Sequence, residues 1–312
     1  DDGFNTLTVW CMDYNASGGA GRKLTIDETV KLAELAKKKE LFIQFYLNID
    51  RYIHLFPMAE LPDGQKQGFD IDYFDPGYRE FIRNFAKRLA MALYPYDNVS
   101  TIVIWEEKIG LNADFQKDKV IITPFFASKA GKAAFKDWLE KRHKTIENLN
   151  NKWGTTYPSF EEAVNNSLLD YFAGAADNDH RQYDILEFGQ IMLIDFTRDF
   201  VDAYKSVDPT MLFQCRNWDL FGPVRAIDPR YSFLDSFGIN QYSLGHKGYD
   251  ITFREEAVKV KLISGIIGKA PYVSNFGFRS RSLDGATHGL VPNEDVKASL
   301  AADSWVAFSF IP

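Results

Sequence analysis

The sequence contains few of the features that mark disulfide-rich, zinc-binding, membrane or nucleic-acid-binding proteins. Its two cysteines, Cys11 and Cys215, lie far apart, so it predicts neither a disulfide framework nor a zinc site built on cysteine. No apolar run approaches the roughly 20 residues that cross a bilayer. With a net charge of -7 and no basic run, the chain is not expected to bind nucleic acid or an anionic membrane surface.

Histidines are also sparse, and they show no spacing typical of metal ligands. We therefore predict no metal site and no cofactor. Each histidine is interpreted as belonging to the surface or to a loop. The five are His54, His143, His180, His246 and His288.

Aromatic side chains, in contrast, are abundant, with 26 Phe, 15 Tyr and 6 Trp among 312 residues. Rings fill protein cores, and they also stack on the faces of sugars. With 46% hydrophobic residues the chain can bury a large core, and an α/β barrel of roughly 250 residues with insertions would use most of it. We therefore predict a single domain over residues 1–312.

Residues 97–112, DNVSTIVIWEEKIGLN, combine a buried strand with two adjacent carboxylates. Residues 100–105 are mostly β-branched or aromatic, which predicts a strand buried on both faces. Glu106 and Glu107 follow at its carboxyl end, where the catalytic groups of parallel α/β barrels lie, so they are the first candidates for catalytic acids. The alternative is that the two glutamates begin a solvated loop and pair with Lys108.

The same pattern, a strand with a polar carboxyl end followed by a helix, repeats along the chain. Strands are predicted over residues 4–10, 41–47, 100–105, 211–216, 236–243, 271–278 and 305–310. Helices are predicted over residues 27–39, 78–93, 183–206, 254–267 and 293–302. This alternation predicts an α/β fold, a (β/α)8 TIM barrel of parallel strands. Since about seven strands are counted, we expect a segment of a longer protein that lacks the first strand.

Two regions between these units are predicted to depart from the pattern. Residues 56–75 are marked by prolines and are expected to form a loop. Residues 113–178 are expected to form a helical insertion over the mouth of the barrel, with short helices over 135–142 and 145–153 and a third that begins at residue 159.

Polar side chains near the ends of the other strands are candidates for binding a ligand. Amides, guanidinium groups and phenols form directional hydrogen bonds with hydroxyl groups, and the ring of Trp218 could stack on a sugar. The same side chains could instead satisfy backbone groups at the strand ends. The candidates are Asn48, Arg51, Asn217, Trp218, Asn240, Tyr242 and Arg279.

One stretch resembles a known family. The sequence from Ala134 onward, AFKDWLEKRHKTIENLNNKWG, with residues 155–163 after it, is similar to the stretch that follows the acid/base strand in the family 42 β-galactosidases. The segments SFGINQYS and PYVSNFGFRSR are similar to the sixth and seventh strand ends of clan A glycoside hydrolases, which include family 42. The likeness covers about residues 4–312.

This resemblance implies a glycosidase that acts on a β-linked glycoside with retention, and its partner would be an oligosaccharide or another glycoside. The acid/base would be Glu107 or Glu106, although the family usually has Asn-Glu at this place. The position of the nucleophile, a glutamate in the clan, is occupied here by Asn275. The cysteines that bind zinc in many family members are absent from residues 112–132.

The asparagine raises a chemical difficulty, because an amide is a poor nucleophile and standard double displacement needs a carboxylate. Three explanations stay open: an engineered substitution that traps substrate, a natural carbohydrate-binding barrel without activity, or a carboxylate recruited from elsewhere. The candidates for that carboxylate are Asp50, Asp219 and Asp284.

Alternation along the strand places Val273 and Asn275 on the inward face, so we expect Asn275 to lie near Glu106 or Glu107. The sugar and the oligomeric state stay open. The cellular location is also open, although an enzyme that acts on a polysaccharide would favour a secreted or periplasmic one.

Overall fold

The computed structural model describes residues 5–11, 25–47, 58–60, 64, 66–106, 126–172, 179–217, 228–241, 265, 268 and 271–276. The chain divides into two compact units, Asp1–Met211 and Leu212–Pro312. The prediction of one domain over residues 1–312 stays a prediction.

The first unit begins with alternating strands and helices and continues into a helical region. Its described elements are β1 (Thr6–Cys11), α1 (Ile26–Lys38), β2 (Phe42–Leu47), β3 (Met58–Glu60), β4 (Lys66–Ile71), α2 (Pro76–Leu93), β5 (Val99–Glu106), α3 (Lys129–His143), α4 (Ile146–Trp153), α5 (Phe160–Phe172) and α6 (Asp179–Lys205).

Strands β1, β2 and β5 are parallel neighbours, and β2 lies between the other two. Helix α1 joins β1 to β2, which confirms the strand–helix–strand unit expected from the sequence. Ile43, Phe45, Ile102 and Ile104 are fully buried, as expected for strands covered on both faces.

The start of β5 is fixed by the turn before it. The side-chain amide of Asn98 donates to the carbonyl oxygens of Ala33 at 3.0 Å and Leu41 at 3.2 Å, and so ties the strand to α1 and β2. Asp97 lies in the same turn, and its carboxylate is 2.7 Å from the ammonium group of Lys37 on α1, which lowers the pKa of this exposed carboxylate. The buried amide bonds fix the strand more firmly, because exposed ion pairs contribute little.

The helices begin where the capping residues predict. Thr25 caps α1: its hydroxyl accepts from the backbone N–H of Glu28, whose carboxylate accepts from the N–H of Thr25. Asp75 caps α2 through a 2.7 Å bond from the N–H of Tyr78, and Pro76 opens the helix.

The expectation of a loop over residues 56–75 was wrong in part. Strands β3 and β4 form an antiparallel hairpin in which Met58 pairs with Ile71 and Glu60 with Lys66. Between them Gly64 has a φ of 84°, which glycine adopts without strain. The polar residues of these short strands hide the alternation by which a strand is recognised in a sequence.

Helix α6 packs along α2. Phe196 is fully buried and lies against Tyr73 and Tyr78, with ring centroids 4.7 and 5.4 Å away. At the edge of this contact the Asp199 carboxylate accepts from Arg79 at 3.0 Å and from Arg83 at 3.1 Å. The aromatic contacts supply most of the stability, because the ion pairs are partly exposed.

Helices α3, α4 and α5 confirm the short helices predicted between residues 113 and 178, and we call residues 126–172 the helical insertion. Its position over the barrel mouth stays a prediction. It has a core of its own, completed by the first turns of α6. The core residues are Phe126, Phe135, Leu139, Leu149, Trp153, Ala163, Val164, Leu168, Ile185 and Phe188.

The second unit contains parallel strands. Its described elements are β6 (Phe213–Asn217), a 3₁₀ turn (Pro229–Tyr231), β7 (Ser236–Gln241) and β8 (Pro271–Phe276). β7 pairs with β6 on one side and β8 on the other, which confirms three more predicted strands. The predicted helix over 293–302 and strand over 305–310 lie outside the described residues, as does the predicted helix over 254–267 except for Gly265.

In the part of the chain that the structure describes, no helix is both long and apolar enough to cross a membrane.

Replacement of Gly131 by alanine should destabilise the helical insertion. A Cβ atom at this position would lie 2.5 Å from the Cα and carbonyl oxygen of Phe126, and these backbone atoms cannot rotate away. We expect the free energy of unfolding in urea to fall by about 1–3 kcal/mol.

Gly189→Ala is the matched control, because its Cβ would meet only the Phe126 ring, at 3.6 Å. This helical substitution should leave stability unchanged or raise it by up to about 1 kcal/mol. Equal urea midpoints for the two variants would contradict the steric account.

Candidate functional site

The described candidates all lie at or near the carboxyl ends of parallel strands. Glu106 is the last residue of β5 in the first unit. In the second unit Asn217 ends β6, while Asn240 and Asn275 are each one residue from the ends of β7 and β8. Because β6, β7 and β8 are adjacent and parallel, these three asparagines share one edge of the sheet.

Two of these asparagines are paired directly. The Cα of Asn240 is the register partner of the Cα of Asn275 on the next strand. Asn217, on the other side of β7, is the partner of Ile239. The structure therefore brings three of the predicted site residues together along one sheet edge.

The pairing of β7 with β8 is irregular at this edge. Ile239 pairs with Val273, and the next pair is Asn240 with Asn275, so Ser274 is an extra residue on β8. Bulges of this kind are frequent beside active sites, because they change the direction of a neighbouring side chain. The expectation that Asn275 faces inward, near Glu106 or Glu107, stays a prediction.

The remaining candidates are not placed by the structure. These residues lie outside its described part: Glu107, Asn48, Arg51, Trp218, Tyr242 and Arg279, together with Asp50, Asp219 and Asp284.

The chemistry at the described strand ends differs between the two units. β5 ends in a carboxylate residue, Glu106. The last two residues of β6, β7 and β8 include four polar ones, Arg216, Asn217, Asn240 and Gln241, besides Asn275, and no carboxylate occurs among these six end positions. Amides donate and accept hydrogen bonds but do not ionise near neutral pH. β5 therefore ends in an acidic residue, whereas β6–β8 end in amide residues and one arginine.

A second polar cluster, which the sequence did not predict, lies inside the helical insertion. The carboxylate of Asp184 on α6 is almost completely buried. One oxygen accepts from Trp153 Nε1 at 2.9 Å and lies 2.8 Å from His143 Nε2; the other lies 2.9 Å from Arg142 Nε. The cluster joins α3, α4 and α6 at one point.

The location of His143 corrects the interpretation of the histidines as surface or loop residues. His143 ends α3 and is buried, with its ring against Trp153 and its Nε2 on Asp184. The signal in the sequence was its spacing from Leu139 and Phe135, which continues the buried face of α3 at intervals of four. Nothing in the sequence identified Asp184 as its partner, because 41 residues separate the two.

The loop after α4 is fixed by one asparagine. Asn150 donates from its side chain to the carbonyl oxygen of Tyr157 and accepts from the backbone N–H of Tyr157 and the hydroxyl of Thr155. Gly154 ends the helix in the left-handed conformation, with a φ of 67°. The stretch of sequence most similar to family 42 thus builds the core and turns of the helical insertion.

Among the described residues, no group of three or more His, Cys, Asp or Glu side chains is arranged to hold a metal ion.

The family model for glycoside hydrolase family 42, described as β-galactosidase, matches residues 63–274. The chain belongs to this family. The match covers more than half of the chain, includes the whole helical insertion and ends one residue before Asn275. The resemblance expected from the sequence is therefore confirmed.

Similar proteins from three organisms are β-galactosidases. One, from Arthrobacter sp, is 34% identical over 91 residues, which cover 28% of this chain and 12% of that protein. The solved β-galactosidase of Marinomonas ef1 has a TM-score of 0.71 at 17% identity, covering 98% of this chain and 48% of that one. The solved β-galactosidase of the haloarchaeon Halorubrum lacusprofundi has a TM-score of 0.68 at 14% identity. The likeness covers 97% of this chain and 47% of that one.

These solved structures confirm the fold class predicted for this chain, the (β/α)8 barrel. The chain spans about half the length of the solved β-galactosidases that it matches.

Replacement of Asp184 by asparagine should destabilise the helical insertion strongly. The asparagine side chain would turn an NH2 group toward Arg142 or toward the donors on His143 and Trp153, leaving a buried donor without an acceptor. We expect a loss of roughly 3–5 kcal/mol in the free energy of unfolding, measured by urea denaturation.

Asp195→Asn is the control on the same helix, because Asp195 is exposed. It should change stability by less than about 0.5 kcal/mol. A similar small change in Asp184→Asn would show that the buried carboxylate does not hold the three helices together.

Proposed function

We propose that this family 42 chain is the barrel part of a glycosidase that hydrolyses a β-linked glycoside, with Glu106 or Glu107 as the proton donor. The observation that carries the proposal is the position of Glu106 at the carboxyl end of β5. The residues before it, from Thr101 to Ile104, are all buried and fix the strand. Barrel enzymes place their catalytic groups at such strand ends.

In the proposed reaction the protonated carboxyl group of the donor gives its proton to the glycosidic oxygen, while the bond between that oxygen and the anomeric carbon breaks. The positive charge that develops on the sugar ring requires a nucleophile on the opposite face. Asn275 occupies the position that the resemblance assigns to that nucleophile, and its amide does not supply one. A carboxylate recruited from elsewhere, with Asp50, Asp219 and Asp284 as candidates, is therefore proposed to form the bond to the anomeric carbon, and water then displaces it.

The other candidates are proposed to bind the sugar. Neutral amides and a guanidinium group suit an uncharged ligand rich in hydroxyl groups, because each can donate or accept in a fixed direction. Trp218 is proposed to stack on a pyranose face. The proposed binding residues are Asn48, Arg51, Asn217, Trp218, Asn240, Tyr242 and Arg279.

The choice between Glu106 and Glu107 can be tested by replacing each with glutamine in the full-length protein and measuring turnover of aryl β-galactoside, β-glucoside and β-mannoside. The variant in which the proton donor is replaced should have a kcat roughly 10²–10⁴-fold lower on substrates with poor leaving groups, because glutamine cannot donate the proton. The kcat on substrates with good leaving groups should fall less, since such leaving groups depart without protonation.

Glu80→Gln is the control, since Glu80 is exposed on α2. Retention of full activity by both strand-end variants would remove the two glutamates from the reaction. Binding of the matching oligosaccharides without turnover of any of the three glycosides would instead indicate a carbohydrate-binding barrel.

A carboxylate at position 275 should introduce a nucleophile where the family has one. We expect Asn275→Glu to raise retaining hydrolysis of unsubstituted aryl β-glycosides by several orders of magnitude, about 10³-fold or more, because a covalent intermediate becomes accessible. Asn275→Gln is the matched control, with the same chain length and no charge. No gain in the glutamate variant would show that position 275 is not the place of a nucleophile.

A further inference from the structure

Helix α6 takes part in two separate packing clusters. Its first turns belong to the core of the helical insertion through Ile185 and Phe188, both of which are buried. Its later turns pack on α2 and on the turn before α2, where Phe196 lies against Tyr73 and Tyr78. One continuous helix of 27 residues therefore joins the helical insertion to α2.

Each half of α6 is also held by a carboxylate. In the first half the buried carboxylate of Asp184 lies within hydrogen-bond distance of side chains on α3 and α4. In the second half the Asp199 carboxylate accepts from Arg79 and Arg83 on α2. Because both halves are anchored, any bend of α6 that moves the helical insertion against α2 is confined to residues 189–195.

Gly189 is the first residue of this segment, and packing does not require a glycine there. A Cβ atom at this position would meet the Phe126 ring at 3.6 Å, which is an ordinary van der Waals distance. Glycine nevertheless weakens a helix relative to alanine, because its backbone loses more conformational freedom on folding. The residue of lowest helix propensity in α6 therefore lies at the junction of the two packing clusters.

The turn before α2 contacts α6 on both sides of this glycine. The partly buried ring of Phe74 is stacked on Phe188, with centroids 6.0 Å apart and planes within 11° of parallel. The fully buried ring of Tyr73 meets Phe196 edge to face, at 4.7 Å. Parallel rings can slide over one another with little loss of contact, whereas an enclosed edge-to-face pair cannot. The contact on the side of the helical insertion therefore tolerates a small rotation.

We propose that Gly189 is a hinge about which the helical insertion turns as one body against α2. Hinges are formed by a few residues that absorb a change in φ and ψ while the packed elements on either side stay rigid. The helical insertion is expected to lie over the barrel mouth, so this rotation would open and close the site. That consequence rests on the proposed function, whereas the hinge itself does not.

The first test is amide hydrogen exchange of the unaltered protein, followed by mass spectrometry on short overlapping peptides. Bending at the hinge breaks the helical bonds that span Gly189, which are donated by the N–H groups of residues 190–193. We expect these amides to exchange about 10-fold or more faster than those of residues 197–201 on the same helix.

Gly189→Ala should slow the exchange of residues 190–193 roughly five-fold, since alanine favours the closed helix by about that factor. Asp202→Ala is the matched control, because it also raises helix propensity at an exposed position of α6 but lies in the half held on α2. It should change the exchange of residues 190–193 by less than about two-fold. Equal exchange in the two segments of the unaltered protein, with no effect of the alanine, would overturn the hinge.

A distance measurement reports the movement of the helical insertion directly. Nitroxide labels would be attached through Glu147→Cys on α4 and Lys87→Cys on α2, both exposed, in a chain with Cys11→Ser and Cys215→Ser. Pulsed electron paramagnetic resonance should give a distribution of distances about two-fold wider with Gly189 than with Gly189→Ala. Equally narrow distributions would show that the two parts form one rigid body. The exchange experiment keeps both cysteines and decides the matter if the labelled chain does not fold.

Turnover of an aryl β-galactoside by the full-length protein separates the hinge from its consequence. If the hinge controls access to the site, Gly189→Ala should lower kcat about three-fold or more and change KM with it, and Asp202→Ala should do neither. Unchanged kinetic constants together with slowed exchange would overturn the control of access and leave the hinge. No turnover by the unaltered protein would overturn the proposed function, while exchange and distances would still decide the hinge.

Discussion

Neighbouring parallel strands cannot be joined by a tight turn, so the chain must cross back over the sheet between every two of them. In the first unit α1 makes this crossing between β1 and β2, and the carboxyl ends of both strands consequently lie at the same edge. The same constraint brings the ends of β6, β7 and β8 together in the second unit. A candidate site can therefore be assembled from residues that are far apart in the sequence.

The helical insertion depends on a different interaction, the burial of one carboxylate. Asp184 would be costly to bury alone, and it is accommodated because donors from α3 and α4 converge on it. Trp153 belongs to the buried apolar cluster of the helical insertion, so its hydrogen bond to Asp184 lies in surroundings of low polarity, where hydrogen bonds are stronger than in water. The ion pairs at the surface of α2 and α6 are partly exposed and hold their helices less strongly.

The features predicted from the sequence were those with a local physical cause. The apolar run before Glu106 predicted β5, and the Asp75-Pro76 pair predicted the start of α2. The β3–β4 hairpin was missed because its polar residues carry no periodic pattern, and the His143–Asp184 contact was missed because it joins distant parts of the chain. The Ser274 bulge also depends on pairing between strands, so alternation within a single strand does not reveal it.

The helical insertion also bears on what family membership can report. Its motif, with Trp153 on the buried carboxylate, Asn150 in the turn and Gly154 at the helix end, stabilises the packing and the turn of the insertion. The matched region includes Glu106, Asn217 and Asn240 and ends just before position 275, so it covers most of the candidate strand ends but not the place that the resemblance assigns to the nucleophile. Membership of the family is therefore established without the one residue on which double displacement would depend.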